Sequence, residues 1–233
     1  EPGLSVFSPA SSPAVHDGAG AEGTDERREI IAFVRRARRQ GLFASALGVC
    51  SVRLPNGGFL VTPPGKGLAD LEEKDLLRIE AGEDSAAVHP AAPFLRAVYD
   101  RNPDFGAAFL ACPPSVMAFA VTDAVFDARI IPESYVFLRD VAKRPFGELS
   151  ASPSSAAAAL RESRPVLLFE NDCAVTVGRT LTQAFDRMEV FAFTARALTD
   201  AALLGQARTI LPEEIAAIDR AFHLAPAESS GLE

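Results

Sequence analysis

Histidine is scarce in this sequence: among 233 residues there are only three, His16, His89 and His223. Histidine is the most common transition-metal ligand and the side chain best suited to general base catalysis near neutral pH. Their number and wide separation therefore argue against a site built from several histidines. Long apolar runs are also missing, since no stretch approaches the roughly 20 residues of a membrane helix, and no association with a membrane is expected.

Cysteine is equally scarce, with three well-separated residues at Cys50, Cys112 and Cys173. An odd number without a CxxC pair argues against a disulfide framework and against a structural zinc site. Few cysteines without paired spacing are typical of proteins in a reducing compartment, so a cytoplasmic location is expected.

The net charge of −8 leaves little positive charge for binding nucleic acid or anionic lipid. With 48% hydrophobic residues, the chain has enough apolar material for a large core. Residues 1–23 are rich in Pro, Ser, Ala and Gly and are interpreted as a flexible N-terminal tail. The predicted domain covers residues 24–225, and residues 226–233 form a C-terminal tail.

The pattern of apolar residues predicts a mixed succession of strands and helices. Asn56-Gly57 lies between two apolar runs and predicts a hairpin, and Thr180 with Gln183 predicts the start of a long helix. The fold class is α/β or α+β, with a largely antiparallel sheet covered by helices. Strands are predicted at 49–54, 58–62, 75–80 and 106–112, extended segments at 129–138 and 141–147, and a second hairpin at 164–178; helices are predicted from Thr24 to Gln40, from His89, from Pro113, over 152–162, from Thr180 and over 211–222.

The stretch "FLACPPS", residues 109–115, places Cys112 where a buried strand ends. Two prolines follow directly, and proline cannot continue a strand but suits the first turn of a helix. A side chain at the end of a strand is well placed for chemistry. Cys112 can thus be a metal ligand, a nucleophile or a small buried residue.

Four stretches in this order resemble the class II aldolase/adducin family: "SVRLPNGGFLVTPPGKGLADLEEKDLLRIE", "FLRAVYDRNPDFGAAFLACPPSVMAFAV", "IIPESYVFLRDV" and "VLLFENDCAVTVGRTLTQAFDRMEVFAFTARAL". The resemblance implies a three-layer α/β/α fold with a central, mainly antiparallel sheet, and assembly as a tetramer. It also implies chemistry on a small carbonyl or carboxylate compound. In that family a divalent metal (Zn, Mn or Co) held by three histidines stabilises an enolate-like oxygen.

The resemblance also implies that the usual site has been lost. The two histidines at the end of the central strand correspond to Leu110 and Cys112. The third, which follows an asparagine in the late hairpin, corresponds to Asp172, because Asn171 matches that asparagine. The acid/base glutamate corresponds to Ala91. No metal or other cofactor is therefore expected, unless a non-standard metal site has been rebuilt.

A rebuilt site would draw on His89, Cys112, Asp172 and Glu133, which are the candidate catalytic residues. Cysteine, histidine and aspartate form a chemically reasonable metal set. His89 and Cys112 would otherwise form a thiolate–imidazole pair for covalent catalysis. The alternative is that these residues have no chemical role. Cys112 would then be a small buried residue, His89 a residue at the start of a helix and Asp172 a residue in the hairpin turn.

Three further residues are predicted to line the pocket: Thr62, Lys66 and Tyr135. Lys66 is either an anion-binding residue at the pocket mouth or a solvated surface lysine. Tyr135 and Glu133 correspond to family positions near the subunit interface, where packing is the simpler role.

Two functions follow. The first is a non-catalytic or assembly subunit, in a homotetramer or in a hetero-oligomer with an active relative. The second is a repurposed lyase of aldolase, decarboxylase or dehydratase type that uses the same pocket. A protein that only binds a small-molecule ligand is a third interpretation.

Overall fold

A computed structural model describes residues 23–44, 47–83, 86 and 88–224. Its described part contains a seven-stranded mixed sheet in the order β3-β2-β1-β4-β7-β6-β5. Five neighbouring pairs are antiparallel, and β5 and β6 are parallel. The strands are β1 (Gly48–Arg53), β2 (Phe59–Val61), β3 (Leu77–Ile79), β4 (Ala107–Ala111), β5 (Val141–Arg144), β6 (Val166–Phe169) and β7 (Ala174–Gly178).

Eight α-helices are present in the same described part, together with two short 3₁₀ turns at Leu68–Asp70 and Glu73–Asp75. They are α1 (Thr24–Arg39), α2 (Ala92–Arg101), α3 (Pro114–Ala120), α4 (Pro132–Leu138), α5 (Glu148–Ala151), α6 (Pro153–Ala158), α7 (Leu181–Leu204) and α8 (Pro212–Ala221).

Alternation along the strands divides the core into two apolar layers, one on each face of the sheet. On β4, Phe109 and Ala111 face the layer that contains α1, α3 and α7. Ala108 and Leu110 face the layer that contains α2, α5 and α6. The sheet is therefore covered by helices on both sides, as the resemblance implied.

Most sequence-predicted elements are present, with shorter limits than expected. Both hairpins form, and the strand predicted at 75–80 is β3. Thr180 caps α7 by accepting a hydrogen bond from the Gln183 backbone N–H at 3.2 Å. Two helix predictions need adjustment: α2 begins at Ala92 rather than His89, and the helix predicted over 152–162 is α6, which ends at Ala158.

The extended segment predicted at 129–138 is wrong, because Pro132–Leu138 forms α4. Its β-branched and aromatic residues favoured a strand. Pro132 instead occupies the first helical turn, where its missing N–H costs nothing. Ser134, Tyr135 and Leu138 are buried, which is the spacing of one helix face.

None of the helices in the described residues has the length and apolar character needed to cross a membrane. The predicted tails, 1–23 and 226–233, lie outside the described residues apart from Gly23. The domain limits of 24–225 stay a prediction.

Candidate functional site

One end of the sheet holds three of the residues singled out from the sequence: Thr62 follows β2, Cys112 follows β4 and Asp172 precedes β7. There β2 and β4 end while β1 and β7 begin, because Gly48 pairs with Ala111 and Ala111 pairs with Ala174. Thr62 follows β2 at the same end and donates its backbone N–H to the Cys50 carbonyl at 3.0 Å. We call this the site end of the sheet.

Leu110 and Ala91 are built into the core near the site end. Both are 0% exposed and belong to the apolar layer formed with α2, α5 and α6. Leu110 is flanked by Val49 on β1 and Val175 on β7, so an apolar side chain is well matched to its neighbours.

Cys112 and Asp172 lie next to each other at the site end. The Cys112 thiol donates a hydrogen bond to the Asp172 backbone carbonyl at 3.3 Å. Burial, and then the nearby Asp172 carboxylate, raise the pKa of the Cys112 thiol to about 12. Cys112 is therefore a neutral thiol near neutral pH and a weak nucleophile.

His89 is buried beside Thr62 and Ala91. Its Nδ1 accepts a hydrogen bond from the Ala91 backbone N–H at 2.9 Å. Burial lowers the pKa of His89 to about 4, although a hydrogen bond with the backbone of Thr62 opposes this effect. Near neutral pH the ring is uncharged, and its contacts fix the loop that leads into α2.

The thiolate–imidazole pair stays a prediction, but the two environments do not favour it. His89 binds the backbone around Thr62 and Ala91, whereas Cys112 binds Asp172. An ion pair would lower the pKa of the thiol and raise the pKa of the imidazole. In this structure the pKa of the Cys112 thiol is instead raised, and the pKa of the His89 imidazole is lowered.

The predicted pocket residues have structural partners. Thr62 is buried, and its Oγ1 accepts the Cys50 backbone N–H at 3.1 Å. Lys66 is exposed and forms an ion pair with Asp75 at 2.5 Å. These contacts hold the turn after β2 against the 3₁₀ turn before β3.

Tyr135 lies in a polar cluster that the sequence did not reveal. Its hydroxyl donates to Asp219 of α8 at 2.9 Å, and Arg139 donates to the same carboxylate oxygen at 2.9 Å. The Arg139 guanidinium also lies 4.8 Å from the centre of the Tyr135 ring. Glu133 is exposed in the first turn of α4. Asp219 is 84 residues from Tyr135, and no local pattern predicts such a contact.

Cys173 is the residue at this end that sequence reasoning missed. It is 0% exposed, belongs to the same apolar layer as Leu110, and lies close enough to Cys112 for the two sulfur groups to interact electrostatically. The alternation of side chains along a strand could have placed Cys173 in the core, because residues 173 and 175 of the late hairpin must share a face.

The residues present do not fit a three-histidine metal centre. Of the three positions that the sequence resemblance pairs with histidines, Leu110 has no donor atom in its side chain, and the other two are Cys112 and Asp172. Within residues 23–44, 47–83, 86 and 88–224, no group of three or more His, Cys, Asp and Glu side chains is arranged to hold a metal ion.

The fold is shared with solved structures of an L-fuculose-1-phosphate aldolase, of an aldolase II superfamily protein and of a protein described as a putative aldolase/epimerase/decarboxylase. YgbL of Escherichia coli aligns with a TM-score of 0.72 and 23% identity, over 83% of this chain and 97% of that one. L-fuculose-1-phosphate aldolase of Thermus thermophilus aligns with a TM-score of 0.69 and 25% identity, over 79% and 98% of the two chains. An aldolase II superfamily protein of Pseudomonas syringae gives a TM-score of 0.72 with 17% identity, over 92% and 90%.

The profile of the Class II Aldolase and Adducin N-terminal domain matches residues 28–199. The chain therefore belongs to this family, and the sequence-based recognition is confirmed. A comparison with curated protein sequences found no match.

Proposed function

We propose that this chain is a non-catalytic member of the class II aldolase/adducin family that acts as an assembly subunit. The observation that carries the proposal is the complete burial of Leu110 and Ala91. The sequence resemblance pairs those positions with a metal ligand and with the acid/base glutamate. Leucine cannot coordinate a metal through its side chain, and alanine cannot transfer a proton.

The remaining polar groups do not replace the missing chemistry. Aldol cleavage places negative charge on an enolate oxygen, which a Lewis acid or a cation must stabilise. At the site end, Cys112 is a neutral thiol, and an ionised Asp172 would repel the developing charge. The site therefore favours a subunit whose contribution is structural.

The first prediction concerns metal content and aldol cleavage. After loading with Zn²⁺, Mn²⁺ or Co²⁺ and dialysis, the purified protein should retain no stoichiometric metal by elemental analysis. It should not cleave L-fuculose 1-phosphate, whereas the Thermus thermophilus aldolase handled in parallel serves as the positive control.

One equivalent of retained metal that disappears in Asp172→Ala would refute this proposal. Turnover of a small carbonyl or carboxylate compound would instead support the repurposed lyase. In that case Cys112→Ser should abolish turnover without lowering the melting temperature, and so should His89→Asn, which keeps an acceptor for the Ala91 backbone N–H.

The C-terminal helices support the assembly part of the proposal. In α7 the last fully buried residue is Ala195, and the residues that follow it in the helix are partly buried or exposed. No residue of α8 is buried either. Exposed apolar side chains mark an interaction surface where they form one contiguous patch, and we propose that those in and beside α7 and α8 do so. We define the C-terminal surface by its large exposed residues, which are Phe193, Leu203, Leu204, Leu211 and Phe222.

The second prediction tests this surface. Leu203→Glu combined with Leu204→Glu should convert an oligomer to a single chain in size-exclusion chromatography with light scattering, because charges replace two side chains that are 84% and 92% exposed. Val125→Glu is the matched control, since Val125 is 85% exposed but lies in the loop between α3 and α4 rather than in α7 or α8. A double variant that keeps the wild-type mass would show that this surface is not the interface.

A further inference from the structure

Cys112 and Cys173 stand opposite each other across two neighbouring strands. β4 and β7 pair in antiparallel register, with Leu110 opposite Val175 and Ala111 opposite Ala174. One further step in the same register places Cys112 opposite Cys173. Their side chains share a face, because both contact the apolar layer of Leu110 and Val175.

The backbone hydrogen bonds identify which kind of pair this is. The Cys173 carbonyl points toward β6, where it accepts the Phe169 N–H at 2.8 Å. A residue whose polar groups point to one neighbouring strand makes a non-hydrogen-bonded pair with the strand on its other side. The Asp172 carbonyl accordingly points the other way, toward Cys112.

This pair type brings side chains closest together. In non-hydrogen-bonded antiparallel pairs the Cα atoms are about 4.5 Å apart. A disulfide spans Cα separations of about 4.4–6.8 Å. Cys112 is also partly exposed at the site end, whereas Cys173 is completely buried behind it, so an oxidant can reach the first thiol and the second can resolve the product.

The geometry points to a redox modification site: we propose that Cys112 and Cys173 form a cross-strand disulfide when the protein meets a small-molecule disulfide such as oxidised glutathione. Cys112, as thiolate, attacks one sulfur of oxidised glutathione and releases one glutathione thiol. Cys173 then attacks the Cys112 sulfur and releases the second. The two cysteines lose two electrons and two protons, and the oxidant is reduced to two thiols.

The proposal is independent of the proposed function, because the link requires only the register of β4 and β7. The link would join two strands at the site end and constrain the unfolded chain, so the oxidised protein should melt at a higher temperature than the reduced protein. Burial keeps both thiols protonated near neutral pH, so the exchange should be slow and is best followed over hours.

The test uses the native chain of 233 residues incubated with excess oxidised glutathione, followed by alkylation and peptide mass spectrometry. The expected product is a Cys112–Cys173 peptide, with alkylatable thiols falling from three to one and Cys50 remaining free. Cys50 is the matched control residue, because it is equally buried but faces the opposite apolar layer.

Cys50→Ser should leave the cross-link unchanged, whereas Cys112→Ser should abolish it. Because Cys112 is partly exposed, its replacement does not carry the folding risk of replacing the buried Cys173. Three free thiols after prolonged incubation, a glutathione adduct that remains on Cys112, or a link that includes Cys50 would each overturn the proposal.

Discussion

Between pH 7 and pH 4 the protein is expected to lose about 3 kcal/mol of folding free energy through His89 alone. Burial lowers the pKa of His89 from 6.5 to about 4 in the folded state. Between those values the unfolded chain binds a proton that the folded chain does not, so acid favours unfolding. The contribution of uncharged His89 to folding stability is complete above pH 6.5 and is lost as the pH falls through 4. Each unit of difference between the folded-state and unfolded-state pKa corresponds to about 1.4 kcal/mol.

Urea unfolding at several pH values in that range measures the effect. His89→Asn removes the titrating ring and keeps an acceptor near Nδ1 for the Ala91 N–H, so its stability should depend less steeply on pH. His223→Asn is the matched control, because His223 is exposed near the end of the described chain. Carboxylates with lowered pKa values, namely Asp75, Asp127 and Glu148, destabilise all three proteins equally in acid. Identical pH slopes for wild type and His89→Asn would contradict the assignment.

The strands and the two apolar layers were largely predictable, because alternation is a local property. Phe109 and Leu110 must face opposite sides of any strand that contains both. The continuous apolar run of β4 also predicts a fully buried central strand. These signals located "FLAC" within the core without knowledge of its neighbours.

Register and distant contacts were not predictable in the same way. That Cys112 lies opposite Cys173 depends on how β4 pairs with β7, and many registers suit two apolar strands. The bond from Tyr135 to Asp219 joins two helices that are far apart in sequence. α4 was missed because its composition favours a strand, while the packing of Tyr135 and Leu138 on one face favours a helix.

Leu110→Ala should lower the free energy of unfolding by roughly 3 kcal/mol, within the range of about 2–5 kcal/mol for leucine truncations in cores. Leu110 is 0% exposed, lies between Val49 and Val175, and belongs to the layer beneath α2. Truncation removes apolar contacts and leaves a cavity that these strands cannot easily close. Chemical denaturation monitored by circular dichroism measures the change.

Leu47→Ala is the matched control, because Leu47 directly precedes β1 but is 41% exposed, and its truncation should change stability by less than about 0.5 kcal/mol. Side chains that serve chemistry are commonly held at a cost to stability, so their replacement tends to spare or improve the fold. The opposite is expected of Leu110, although the sequence resemblance pairs its position with a metal ligand. If Leu110→Ala were as mild as Leu47→Ala, this position would not be a filled core site, and the non-catalytic interpretation would lose the observation that carries it.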